Sequence, residues 1–189
     1  MSEPGQHVVD VFLPVQRVGA LRDDPCHGLQ TSFSGLQALQ VWADFYLWEL
    51  LLNDNPQLRA VFEVGTFEGG LARYLASQCD YRGLHFRTWD VNEPKHFEPD
   101  FHRLDVFAQP GKIVNLLHRW EPLVLFCDGG NKARELQTFG AALKQRESLV
   151  VVHDWEVEIH ESDIPENLVA VYEHATDQLE SLSRVFRLA

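Results

Sequence analysis

Two near-unbroken apolar runs, Leu123-Val124-Leu125-Phe126-Cys127 and Leu149-Val150-Val151-Val152, constrain this chain more than any other feature. A strand with one wet face alternates apolar and polar residues. A strand covered on both faces does not, and such strands belong to parallel sheets packed between helices. The rest of the chain repeats the same rhythm. Strands are predicted over 61–65, 84–90, 103–107, 123–128 and 148–154, with a last one over 183–188. Helical spacing of apolar residues predicts helices over 36–53, 71–79, 110–120, 133–144 and 167–182. The first of these is apolar around much of its circumference and should be buried. This order predicts an α/β protein, a single Rossmann-like, doubly wound and mostly parallel sheet with helices on both faces. At 189 residues the chain suits one domain. Scattered Pro and Gly make 1–30 an irregular N-terminal arm with a short strand at 8–13, and the domain spans 31–189.

Charge narrows the choice of partner. Sixteen basic against 28 acidic residues give a net charge of −12, which disfavours nucleic acid and anionic membranes and favours small neutral or cationic molecules. Cys26, Cys79 and Cys127 have neither metal-type nor disulfide-ladder spacing, and the last two fall in apolar elements where thiols pack as small hydrophobes. There is no signal-like start and no apolar run near the ~20 residues of a membrane span, so the expectation is a cytoplasmic protein. Homo-oligomerisation is left open.

In open α/β sheets ligands bind beyond the carboxyl ends of the strands, where strand order reverses. The residues at those ends are Glu63 and Gly65, Asp90, Asp105, Asp128, and His153 with Asp154. The most specific signal is the turn Glu63-Val64-Gly65-Thr66-Phe67-Glu68-Gly69-Gly70. Gly65 permits a tight turn, and Gly69 with Gly70 lets a ligand approach a helix N-terminus. Phe67 stands where the dinucleotide fingerprint places its second glycine, so the turn suits a ligand without a diphosphate. The bland alternative is a glycine-rich turn with no ligand. Asp90 is placed to accept from a ribose diol, or else caps a turn. Asp105 accepts from an adenine amino group, or else caps a helix.

Asp128, His153 and Asp154 admit three readings. They hold a divalent metal through mixed oxygen and nitrogen donors. Alternatively His153 is a general base with a near-neutral pKa, or it merely packs at the sheet rim. The loop Gly129-Gly130-Asn131 is flexible enough to approach a ligand. Residues 154–166 carry six acids and no Lys or Arg, which makes either a solvated face or a lid that attracts a cation.

These features resemble the class I S-adenosyl-L-methionine-dependent methyltransferases. More narrowly, they are similar to the family grouped as cephalosporin hydroxylase / rhamnosyl O-methyltransferase. The matching stretches are Thr31-Ser32-Phe33-Ser34-Gly35, Phe62 through Gly70, Val124-Leu125-Phe126-Cys127-Asp128 and Val150-Val151-Val152-His153-Asp154. The resemblance implies that the turn, with Thr66 and Phe67, cradles S-adenosylmethionine. It puts Glu63, Gly65 and Gly69 on the methionine side, Asp90 on the ribose and Asp105 at the adenine. It also implies Mg²⁺ or another divalent cation on Asp128 and the pair His153-Asp154, where the family pattern has two carboxylates. Leu71 stands where a hydroxyl residue is common. Such enzymes end in two further strands, whereas the stretch after 155 leaves room for about one helix and one strand, a fold shortened at its C-terminus.

The expected activity is O-methylation of a small-molecule hydroxyl, on a sugar or natural product, with His153 and Asp128 at the reaction centre and a metal assisting. Two alternatives keep the fold: a nicotinamide-dependent oxidoreductase, and a non-catalytic module that binds an adenosyl ligand or dimerises.

Overall fold

The computed structural model describes residues 31–94 and 100–189, so the arm at 1–30 and its expected strand lie outside the described residues. The described chain opens with a hairpin of β1 (Ser32–Phe33) and β2 (Leu36–Gln37), followed by α1 (Trp42–Asp54). Then come β3 (Ala60–Val64), α2 (Gly70–Arg82), β4 (His85–Asp90), β5 (Phe101–Arg103), α3 (Pro110–Trp120) and β6 (Leu123–Cys127). The short α4 (Lys132–Glu135), β7 (Leu149–Val152), β8 (Leu168–Val171), α5 (Glu173–Gln178) and β9 (Arg184–Leu188) complete it. Seven strands form one sheet in the order β5-β4-β3-β6-β7-β9-β8. The first five are parallel, and β9 runs antiparallel to both β7 and β8. This is the expected doubly wound α/β architecture.

The two apolar runs are the central strands β6 and β7, buried at every position. Successive side chains point to opposite faces, and the two cores divide accordingly. Val61, Val124, Phe126 and Val151 pack under α1 and α2 with Leu47, Trp48, Leu51 and Leu75. Ala60, Phe62, Leu123, Leu125, Val150 and Val152 pack under α3 and the segment after α4, with Ile113, Leu117, Leu136 and Phe139. Trp48 meets Phe126 edge to face at 5.3 Å, fixing α1 across the sheet. Cys79 and Cys127 are buried free thiols, as expected. Among the described residues no helix is long and apolar enough to cross a membrane.

Four elements differ from the sequence reading. The strand expected over 103–107 lies earlier, as β5 (Phe101–Arg103), because the Asp105 side chain caps the turn Val106–Ala108 and ends the extended run. The helix expected over 36–53 begins only at Trp42, because Ser34 and Gly35 adopt positive φ (51° and 79°) and turn the chain into a hairpin. The helix expected over 133–144 is one turn of α4 widened into a π-type turn, Leu136–Gly140, in which the amide of Ala141 donates to the carbonyl of Leu136. The helix expected over 167–182 splits into β8 and α5. Leu168-Val169-Ala170-Val171 pairs with β9, and Tyr172 (φ 60°) breaks the strand before the helix. Both closing strands are therefore present after residue 155. The economy at the C-terminus falls on helices, since only a single turn at Glu161–Asp163 separates β7 from β8.

Candidate functional site

The carboxyl ends of the central strands lie in register. Val64 pairs with Trp89 of β4 and Cys127 of β6, and Cys127 pairs with Val152 of β7. The ladder continues one residue further: the amide of Gly65 donates to the Trp89 carbonyl, that of Asp128 to Val64, and that of His153 to Cys127. From β3 the chain winds outward through β4 and β5, then returns to build β6 and β7 on the other side. Strand order thus reverses between β3 and β6, where Gly65 and Asp128 stand side by side. A Cβ on Gly65 (φ +98°) would lie 2.2 Å from the Asp128 carbonyl oxygen, so this glycine is required by backbone meeting backbone.

The glycine-rich turn is organised by Asp90. Its Oδ2 accepts from the amides of Thr66 and Phe67, each at 3.0 Å, and its Oδ1 from the amide of Asn92 at 2.9 Å. The carboxylate expected at a ribose is thus also the clasp of the turn. Thr66 is buried, with its hydroxyl 2.6 Å from that of Thr88. Phe67 takes the left-handed conformation (φ 51°) and leaves its ring 51% exposed at the lip. Gly69 (φ 85°) precedes the first turn of α2. Gly70 serves a different purpose from the one expected. A Cβ there would meet the Gln37 carbonyl at 2.4 Å, so its missing side chain admits the β1–β2 hairpin, not a ligand.

Glu63 lies beneath the turn, 1% exposed, and its Oε2 has no hydrogen-bond partner. Burial, and more weakly the charges of Asp128 and Asp90, push its carboxyl up to about 8 against the opposing hydrogen bond from Thr88. The carboxyl therefore keeps its proton at neutral pH, and a cation seated there would have to displace it.

Asp128, His153 and Asp154 come together as the sequence predicted, each offering one ligand atom within 4.8 Å of the others. His153 Nδ1 is 3.3 Å from Asp128 Oδ1 and 3.3 Å from Asp154 Oδ1. On the other side, Nε2 is 3.8 Å from Asp44 Oδ2 and has no hydrogen-bond partner. Burial opposes a charge on this ring, but Asp128, Asp154 and Asp44 outweigh it and hold the imidazole protonated well above its ordinary range. A ring held protonated has no lone pair with which to take a proton, so this direction argues against His153 as the general base. Asp154 is held well below the usual carboxylate range, where His153 and Lys132 overcome the effect of burial.

Residues not singled out from the sequence complete the cluster. The Lys132 ammonium, whose side chain is 6% exposed, lies 2.9 Å from Asp154 Oδ2, 2.8 Å from Glu158 Oε2 and 3.6 Å from Asp128 Oδ1. It also donates to the Gly129 carbonyl at 3.3 Å. Gln40, which follows the hairpin, donates from Nε2 to Asp128 Oδ2 at 3.2 Å. Asp44 of α1 is fully buried, and its Oδ1 accepts from the Ser181 hydroxyl. Glu135 folds back so that its Oε2 accepts from the Gly129 amide, and burial pushes its carboxyl up to about 7. As a metal site the donor trio fits in kind and spacing. Its charge is already met by the ammonium of Lys132 and the imidazolium of His153.

Asp105 is exposed and caps the turn Val106–Ala108, accepting from the Phe107 amide at 2.8 Å. Of the acids over 154–166, Glu158 reaches Lys132 and Asp154 joins the cluster. Glu156 pairs with His160 at 3.5 Å on the exposed face. That stretch is mainly a solvated loop with one inward arm.

No protein-family model and no curated protein sequence matches this chain. Solved structures do. "cmcI-D160 Mg-SAM" superposes with a TM-score of 0.61 at 15% identity, over 84% of this chain and 76% of that one. "cmcI-N160 SAH" gives 0.58 at 16% identity, over 83% of this chain and 81% of that one. "CmcI-N160 apo-structure" gives 0.56 at 12% identity, over 84% and 76%. At such identities the likeness is one of fold.

Proposed function

We propose that the chain is an S-adenosylmethionine-dependent methyltransferase that acts on a hydroxyl of a small molecule. The observation that carries the reading is the reversal of strand order between Gly65 and Asp128. It sets the glycine-rich turn and a carboxylate cluster at one crevice of a fold shared with structures described as holding SAM or SAH. In this reading Gly65, Thr66, Phe67 and Gly69 form the cofactor cradle. Glu63 receives the ammonium of the methionine moiety, Asp90 the ribose diol and Asp105 the adenine edge.

Methyl transfer breaks the S–CH₃ bond, forms an O–CH₃ bond and releases the acceptor's hydroxyl proton. The protein's main task is alignment of donor and acceptor. Asp128 is the group suited to take the proton. It is partly exposed at the strand end, with one oxygen fixed by Gln40 and the other by His153. His153, with Asp44 behind it, orients that carboxylate and balances its charge. The acidic balance of the chain favours a neutral or cationic acceptor.

Thermal shift with S-adenosylhomocysteine, set against NAD⁺, tests the cofactor reading. A rise in Tm with the former alone is expected. A rise with NAD⁺ alone would select the oxidoreductase, and no shift with either the non-catalytic module. Asp128→Asn should retain S-adenosylhomocysteine affinity and lose methyl transfer from radiolabelled cofactor to a panel of hydroxylated small molecules.

A further inference from the structure

We infer that Lys132 is the resident cation of the strand-end cluster, and that its ammonium holds the position a divalent ion would need. The loop Gly129-Gly130-Asn131 delivers this lysine to the cluster at the first position of α4, where the residue is 7% exposed. A lysine this deeply buried survives only when paired, and here the pairing is complete. The three ammonium protons find Asp154 Oδ2 at 2.9 Å, Glu158 Oε2 at 2.8 Å and the Gly129 carbonyl at 3.3 Å. Asp128 Oδ1, at 3.6 Å, adds charge alone. The atoms of the donor trio that face one another, Asp128 Oδ1 and Asp154 Oδ1, are both taken by His153 Nδ1. A metal ion binds only the deprotonated nitrogen of histidine. To enter, it must expel that proton and settle beside an ammonium that shares two of its carboxylates. The ammonium of Lys132, built into the chain and held by two carboxylates and a carbonyl, already fills the cation position. The inference concerns this cation position and does not depend on the methyl-transfer reading.

The test is Mn²⁺ binding to the full chain, followed by the paramagnetic signal of the free ion and by calorimetry. Wild type should show no saturable binding in the micromolar range. Lys132→Met, which keeps the stem and removes the charge, should bind Mn²⁺ at least about tenfold tighter, a gap of about 1.4 kcal/mol. Adding Asp154→Asn should abolish the gain. Micromolar binding by wild type, or an unchanged affinity in Lys132→Met, overturns the inference. If the single variant is unfolded alone, recovery of its circular dichroism on adding Mn²⁺ supports the inference and failure to recover counts against it. S-adenosylhomocysteine affinity, measured in parallel, reports on the cofactor turn separately.

Discussion

Replacing Glu63 with glutamine asks whether the cofactor turn holds a proton that a ligand must displace. With burial raising the carboxyl to about 8, only about 9% of the apo protein carries a charge there at pH 7. A ligand whose ammonium needs the carboxylate must first ionise it, which costs about 1.4 kcal/mol at pH 7 and about 2.7 kcal/mol at pH 6. Affinity for S-adenosylhomocysteine should therefore rise about tenfold from pH 6 to 7, rise about fivefold from 7 to 8, and then level off. The groups that face Glu63 pull in both directions: the hydrogen bond from Thr88 favours the carboxylate, while burial, Asp128 and Asp90 disfavour it and prevail. Calorimetry in two buffers of different ionisation heat should show close to one proton released per ligand bound at pH 7. Glu63→Gln should bind more weakly at pH 8 and lose both the slope and the proton release. A flat affinity profile in wild type, or a slope that survives the substitution, would refute the reasoning. The unliganded protein should show the same group with the opposite sign. Between about 4.5 and 8 the folded state keeps a proton that the unfolded state has lost, so this group lowers stability as pH rises, by up to about 1.4 kcal/mol per unit.

Two further substitutions probe the turn. Gly65→Ala should destabilise the fold by more than about 1 kcal/mol, because its backbone is left-handed and its Cβ would strike the Asp128 carbonyl. The expected fall in Tm is at least about 3 °C, and an unchanged Tm would remove the close-approach argument. Phe67→Gly should act in opposite directions on stability and binding. Release of the strained φ raises Tm, by about 1–2 kcal/mol of stability, while loss of the ring from the lip weakens S-adenosylhomocysteine. A variant that loses both stability and affinity would show that the ring is a packing element.

How much was legible depended on whether the signal was local. The runs in β6 and β7 could be read because burial on both faces leaves no polar position to confuse the period. The strand-end rule then named Asp90, Asp128, His153 and Asp154 without any knowledge of contacts. The hairpin was missed because Leu36 and Leu39 fall at helical spacing, and spacing alone does not register two positive-φ residues at Ser34 and Gly35. The β8 strand was missed because four residues are too few to display a period of two. Lys132 and Gln40 were missed for another reason. Each meets the cluster from an element whose arrival only the folded chain arranges. Asp44 left a trace, an acid between Ala43 and Phe45 on the apolar first turn of a helix, and a buried charge in such company asks for a partner. Glu158 was visible only as one acid among six.

Gly65 and Asp128 are separated by less than the width of a methyl group. Nothing soft lies between the turn and the reaction cluster: the two abut as main chain on main chain, with the sheet ladder running through both. The seam is therefore stiff, with no slack for either strand end to approach the other. In the proposed reading, a cofactor seated in the turn lies directly against the backbone of Asp128, with no side chain between them. The same stiffness leaves little slack for retuning either half by itself. Variation in what such a site accepts falls more easily on the lip at Phe67 and the outer loop at 154–166 than on the seam between its central strands.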